Sequence, residues 1–194
     1  MNKRNFLLTS GLTGLLPATG SLAQTAALQQ PGLLTVSGAI GNANRGPFDP
    51  VIDQMMHKHG IQFAKAHQFD AAGFQRLPFV TIKPTLEYDG KQHTLQGPLL
   101  ATVLEAAGGP RNGSTRLGLR AVDGYNVTIT VADASAYRMI VATQIDGRPM
   151  AIGGFGPQWA VFDADSVAAF KDKPLNERFA MCPWGLYHID ISAG

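Results

Sequence analysis

Leu117-Gly118-Leu119-Arg120-Ala121-Val122-Asp123-Gly124-Tyr125-Asn126-Val127-Thr128-Ile129-Thr130-Val131 reads as two strands joined by a turn. Leu117 to Val122 has the apolar character of a strand, and Asp123-Gly124 supplies turn chemistry. From Tyr125 to Val131 the apolar Val127, Ile129 and Val131 alternate with polar residues, the period of two that buries one face of a strand.

The same grammar recurs on both sides. Toward the C-terminus, a buried-type run from Met139 to Ile145 ends at the turn Asp146-Gly147, and Trp159 to Phe162 forms another short strand. Asp165 is placed to cap a small helix through Phe170, and Gly185 to Ile191 alternates as a last strand. Toward the N-terminus, Gly97-Pro98 opens a helix whose apolar face is Leu99, Leu100, Val103, Leu104 and Ala107, closed by Gly108-Gly109. Phe79 to Ile82 and Thr85 to Tyr88 read as strands interrupted by Pro84. Asp89-Gly90 turns the chain back through Gln92 to Leu95. Asp49-Pro50 fits an N-cap followed by proline, with Val51, Ile52, Met55 and Met56 on one helix face and Gly60 as the stop. Leu33 to Ile40 forms the first strand. Hairpins and short helices without a βαβ rhythm predict an α+β fold in a single mixed domain over residues 33–194.

Composition agrees. The chain has 194 residues, 45% hydrophobic and 15% charged, enough apolar material for a core; 22 glycines and 12 prolines suit many turns. Residues 1–23 have a basic start at Lys3-Arg4, an apolar run from Phe6 to Leu16 and the small residues Ser21 and Ala23, the parts of a cleavable signal peptide. Lys3-Arg4-Asn5-Phe6-Leu7 also resembles the twin-arginine export signal, with lysine in place of its first arginine. No cysteine follows to take a lipid anchor. Residues 24–32, polar and Gln-rich, read as a flexible connector. The predicted location is therefore the periplasm, in a protein not itself embedded in the membrane.

Sixteen Lys and Arg against fourteen Asp and Glu give a charge of +2; Lys3 and Arg4 leave with residues 1–23, so fourteen of each remain and the net charge is zero. Without excess cation or a basic cluster, nucleic acid is excluded as a partner.

Motif chemistry narrows the choice further. Gly108-Gly109-Pro110-Arg111-Asn112-Gly113 lacks the Lys-Ser/Thr ending of a phosphate loop, and Gly153-Gly154-Phe155-Gly156 lacks the strand-to-helix setting of a dinucleotide fingerprint. No serine, nor Cys182, sits in a nucleophile elbow. His57-Lys58-His59 and His67 lack the spacing of a helical metal site and read as solvated, so no metal is expected. Cys182 reads as a small buried hydrophobe. What remains is a set of groups beside the turns: Tyr88, Asp123, Tyr125, Arg148 and Trp159. Aromatic faces with an arginine and carboxylates suit a flat, hydrogen-bonding heterocycle, while Tyr125 and Trp159 read equally well as core filling.

Taken in order, several blocks carry a resemblance. They are Leu33-Leu34-Thr35-Val36-Ser37-Gly38, Leu77-Pro78, Gly97-Pro98-Leu99-Leu100, Ala121-Val122-Asp123-Gly124-Tyr125, Asp146-Gly147-Arg148-Pro149-Met150, Gly156-Pro157-Gln158-Trp159-Ala160-Val161-Phe162 and Trp184 to Ile191. Together they resemble the molybdopterin-binding domain of the sulfite oxidase fold, in its small stand-alone periplasmic form. In catalytic members a cysteine after the Leu-Pro block ligates molybdenum; here Tyr88 stands at or beside that position. The resemblance is greatest to cysteine-lacking members, and implies a pterin or molybdopterin-like ligand and a membrane receptor that reads ligand occupancy, often one that turns over a cyclic dinucleotide. The implied function is a non-catalytic pterin sensor, with Tyr88, Asp123, Tyr125, Arg148 and Trp159 as ligand-binding residues. The alternative is a molybdopterin-dependent oxidoreductase with non-standard metal ligation.

Overall fold

In a computed structural model, which describes residues 30–192, the central hairpin forms as its alternation dictates. In chain order the elements begin with β1 (Leu34–Gly38), α1 (Gln54–Lys58), β2 (Ala66–Phe69), α2 (Ala71–Gln75), β3 (Phe79–Ile82), β4 (Leu95–Pro98) and α3 (Leu100–Ala106). They continue with β5 (Arg116–Ala121), β6 (Asn126–Thr130), α4 (Val131–Ala136), β7 (Ile140–Ala142), β8 (Gln144–Ile145) and β9 (Arg148–Pro149). The last are β10 (Trp159–Val161), α5 (Leu175–Arg178) and β11 (Leu186–Ser192). The fold is α+β, as the hairpin-rich sequence predicts. The expected signal peptide lies outside the described residues, and no helix among them is long and apolar enough to cross a membrane.

Among the described residues three sheets share one core. The largest runs β2-β1-β11-β5-β6, with only β1 and β11 parallel; a second runs β3-β4-β8-β9, and β10 pairs with β7. Leu34, Val36, Leu117, Leu119, Ile189 and Ile191 bury one face of the large sheet. Each such side chain stabilises the fold by roughly 1.5–3 kcal/mol through removal from water. The second and third sheets meet where β4 crosses β7, and Gly97 is required there, because an added Cβ would lie 2.0 Å from the Val141 carbonyl oxygen. On the other face of the large sheet, His188 is 3% exposed beneath the segment that follows β1. Its Nε2 lies 2.9 Å from Ser37 Oγ.

Several elements differ from expectation. Asp49 does cap, its Oδ1 accepting from Val51 and Ile52 N–H at 2.8 and 3.1 Å, yet the helix proper starts only at Gln54. Val51 and Ile52 are exposed, so the expected apolar face reduces to Met56. Thr85 to Tyr88 is not a strand: one bridge joins Thr85 to Gln92, and the chain closes on itself through Leu86 N–H to Lys91 O and Gly90 N–H to Leu86 O. Burial of Leu86 favours that closed turn. Asp165 opens no helix; its carboxylate instead accepts from Thr85 N–H and from the Arg178 guanidinium. β2, α2 and α5 carry too few apolar repeats to be anticipated.

Candidate functional site

The β5–β6 turn builds one wall of a cavity of about 270 Å³. Gly124 adopts φ +92°, a conformation that leaves room for the reversal, and Asp123 Oδ1 accepts from Tyr125 N–H at 2.9 Å. That turn projects Tyr125 across the opening, where its hydroxyl donates to Ala180 O at 2.7 Å. The closed turn after β3 builds the opposite wall. Leu86 anchors it in the core, and Glu87 and Tyr88 face the cavity.

Beneath the cavity the aromatic rings are layered. Tyr88 leans on Phe155 with centroids 5.3 Å apart, and Phe155 stacks on Trp159 at 4.8 Å and 12°. Trp159 is 1% exposed, with its Nε1 donating to Cys182 O at 2.8 Å. It lines the cavity as a fixed floor with Phe155 already on one ring face. The rings open to a ligand are Tyr88, Tyr125 and Trp184, which are 57%, 49% and 39% exposed. Exposed aromatics of this size, gathered at one opening, favour stacking on a flat ring.

The titratable groups divide sharply. Burial pushes the Cys182 thiol well above its ordinary pKa, so it stays protonated. Burial, and after it the Glu87 carboxylate, raises the Tyr88 phenol likewise. Among the described residues no group of three His, Cys, Asp or Glu is placed to hold a metal ion.

Of the five residues anticipated from sequence, Tyr88, Asp123, Tyr125 and Trp159 line this one cavity. Arg148 does not. It lies exposed on β9, on the fourth strand of the second sheet, where its charge acts on Asp146. Glu87 and Trp184 were missed, although Glu87 adjoins Tyr88 and Trp184 stands in the C-terminal block. Trp184 reaches the site through an antiparallel bridge to Trp159, a long-range pairing that no local pattern announces. The histidines of the 57–59 triplet part company: His57 stacks on Phe48, and His59 Nδ1 lies 2.6 Å from Tyr187 Oη.

Among solved structures, the chain is similar to the sulfane dehydrogenase SoxCD from Paracoccus pantotrophus, with a TM-score of 0.55 over 84% of this chain. The match covers 38% of the SoxCD chain at 12% identity. At that identity what is shared is the fold, and this chain spans well under half of the SoxCD chain's length. The likeness agrees with the fold implied by the sequence resemblance. No family model and no curated protein matches the chain.

Proposed function

We propose that this protein is an exported pterin-binding module, not an oxo-transfer enzyme, and that it presents its ligand to a membrane receptor. The observation that carries the reading is the ring of Tyr88, Tyr125 and Trp184 around a cavity that also holds two carboxylates. A pterin is flat, so it stacks on such rings. Its amino and ring N–H edge donates hydrogen bonds, and Glu87 and Asp123 accept them.

A molybdenum-loaded molybdopterin, which the fold relationship brings to mind, fits these residues poorly. The soft metal calls for a thiolate, and the one cysteine, Cys182, is buried at 3% exposure, while Tyr88, at or beside the position where the resemblance places the ligating cysteine, offers only a hard oxygen. The periplasmic location rests on the predicted signal peptide, and the receptor on the family resemblance. Mass analysis of the exported protein tests the first: a chain beginning at Gln24 is expected.

Calorimetric titration with oxidised and reduced pterins tests the central claim. Binding is expected, and Tyr88→Ala or Trp184→Ala is expected to weaken it roughly tenfold or more, the magnitude of one lost stacking contact. No heat with any pterin rejects the reading. A second reading, an oxidoreductase with non-standard ligation, draws on the likeness to a dehydrogenase. Stoichiometric molybdenum in protein exported from its native host would establish it in place of the first.

A further inference from the structure

We propose that the cavity is a charge filter, in which Glu87 and Asp123 admit an unphosphorylated pterin and turn away pterins that carry a phosphate. The inference rests on the pterin reading above and names the ligand class within it.

Its basis is the charge of the lining. Among the described residues two carboxylates face the cavity, and no Lys, Arg or His does. The arginines that might have reached it are engaged elsewhere. Arg178 Nη1 donates to Asp165 Oδ1 at 2.7 Å and its Nε to Lys173 O. Arg120 lines a separate groove over the large sheet, and its Nη1 donates to Gly124 O at 3.4 Å. Arg148 stands beside Asp146 in the second sheet. Ionised carboxylates accept hydrogen bonds and donate none, which matches the donor edge of a pterin. A phosphate offers only acceptors and negative charge. It needs the guanidinium, ammonium or backbone N–H groups that anion sites collect, whereas the side-chain donors in this lining are neutral, the Asn176 amide, the Tyr88 hydroxyl and the Trp184 indole, and its charged groups are both carboxylates. Molybdopterin carries such a phosphate, so the same filter acts on it independently of how its metal would be ligated.

The test compares 6-hydroxymethylpterin with its monophosphate ester by calorimetry on the full exported protein, at low and high salt. The alcohol is expected to bind, and the ester at least about tenfold more weakly. High salt narrows the gap, because a partly exposed charge pair is screened. The double variant Glu87→Gln, Asp123→Asn is expected to close it while circular dichroism stays unchanged. An ester that binds the wild-type protein as tightly as the alcohol overturns the filter and leaves the pterin reading standing. Binding of neither compound overturns the pterin reading and the filter with it. The wild-type comparison decides the matter even if the double variant fails to fold.

Discussion

At the scale of single residues, His188 and Cys182 show how burial sets chemistry. His188 is buried beside Arg120 and Arg45, and burial first, then those two cations, depresses its pKa to about 4. In the unfolded chain a histidine titrates near 6.5. Between those two values the unfolded state binds a proton that the native state refuses, so stability falls as pH drops from 6.5 toward 4. By pH 4 the loss is on the order of 3 kcal/mol. Urea unfolding across that range is expected to show this slope in the wild-type protein and to lose most of it in His188→Gln. Equal slopes in the two proteins would place the acid sensitivity elsewhere. Cys182 was legible as a buried hydrophobe from its neighbours, since Pro183 and Trp184 after it suggest packing and no reactive-thiol motif surrounds it. Its place at the back of the cavity was not legible, because sequence separation from Tyr88 says nothing of spatial distance.

Among elements, the closed turn between β3 and β4 is the one that matters most to the site. It is fastened at both ends. Thr85 N–H donates to Asp165 Oδ2 at 2.8 Å, and beyond Tyr88 the His93 ring bridges Asp146 and Asp89, with nitrogen–oxygen distances of 2.7 and 3.1 Å. Asp146 is itself anchored, its Oδ1 accepting from Thr94 N–H. The bond to Asp146 first, then that to Asp89, raises the His93 pKa. Lys91 and Arg148 are the cations that act on these carboxylates. A raised pKa makes the contribution complete below the unfolded value near 6.5 and removes it as pH climbs through the folded value. The groups are exposed, so the effect on global stability is small. The local effect is measurable: an NMR titration of His93 is expected to give a midpoint above 6.5, shifted down in Asp146→Asn. A midpoint at or below 6.5 would deny the clasp. The Asp89-Gly90 and Asp146-Gly147 turns are legible in the sequence, whereas the arm before the first reads as a strand and folds instead as a closed turn. Alternation there is too short to distinguish a ladder from a turn closed by a buried leucine.

For the whole molecule, the strands with alternating or continuous apolar residues were legible, and so was the α3 helix, because each announces its period within a few residues. The site was legible only in part. Tyr88, Asp123, Tyr125 and Trp159 stand next to turn signals, and turns at strand ends converge in space. Trp184 and Glu87 needed the β10 contact and the closed turn to bring them in, and Arg148 was assigned by analogy with its turn although its strand lies at the edge of another sheet. The arrangement that results has an optical consequence. The chain contains two tryptophans, one sealed beneath Phe155 and one at the rim. Emission from Trp159 should be blue-shifted and shielded from added quenchers, while that of Trp184 should be red-shifted and open to them. A ring stacked at the opening is expected to quench the second component by contact, while Trp159, the floor of the same cavity, is dimmed less and stays shielded from soluble quenchers. Occupancy of the cavity can therefore be read from the balance of the protein's two tryptophan signals, without any label.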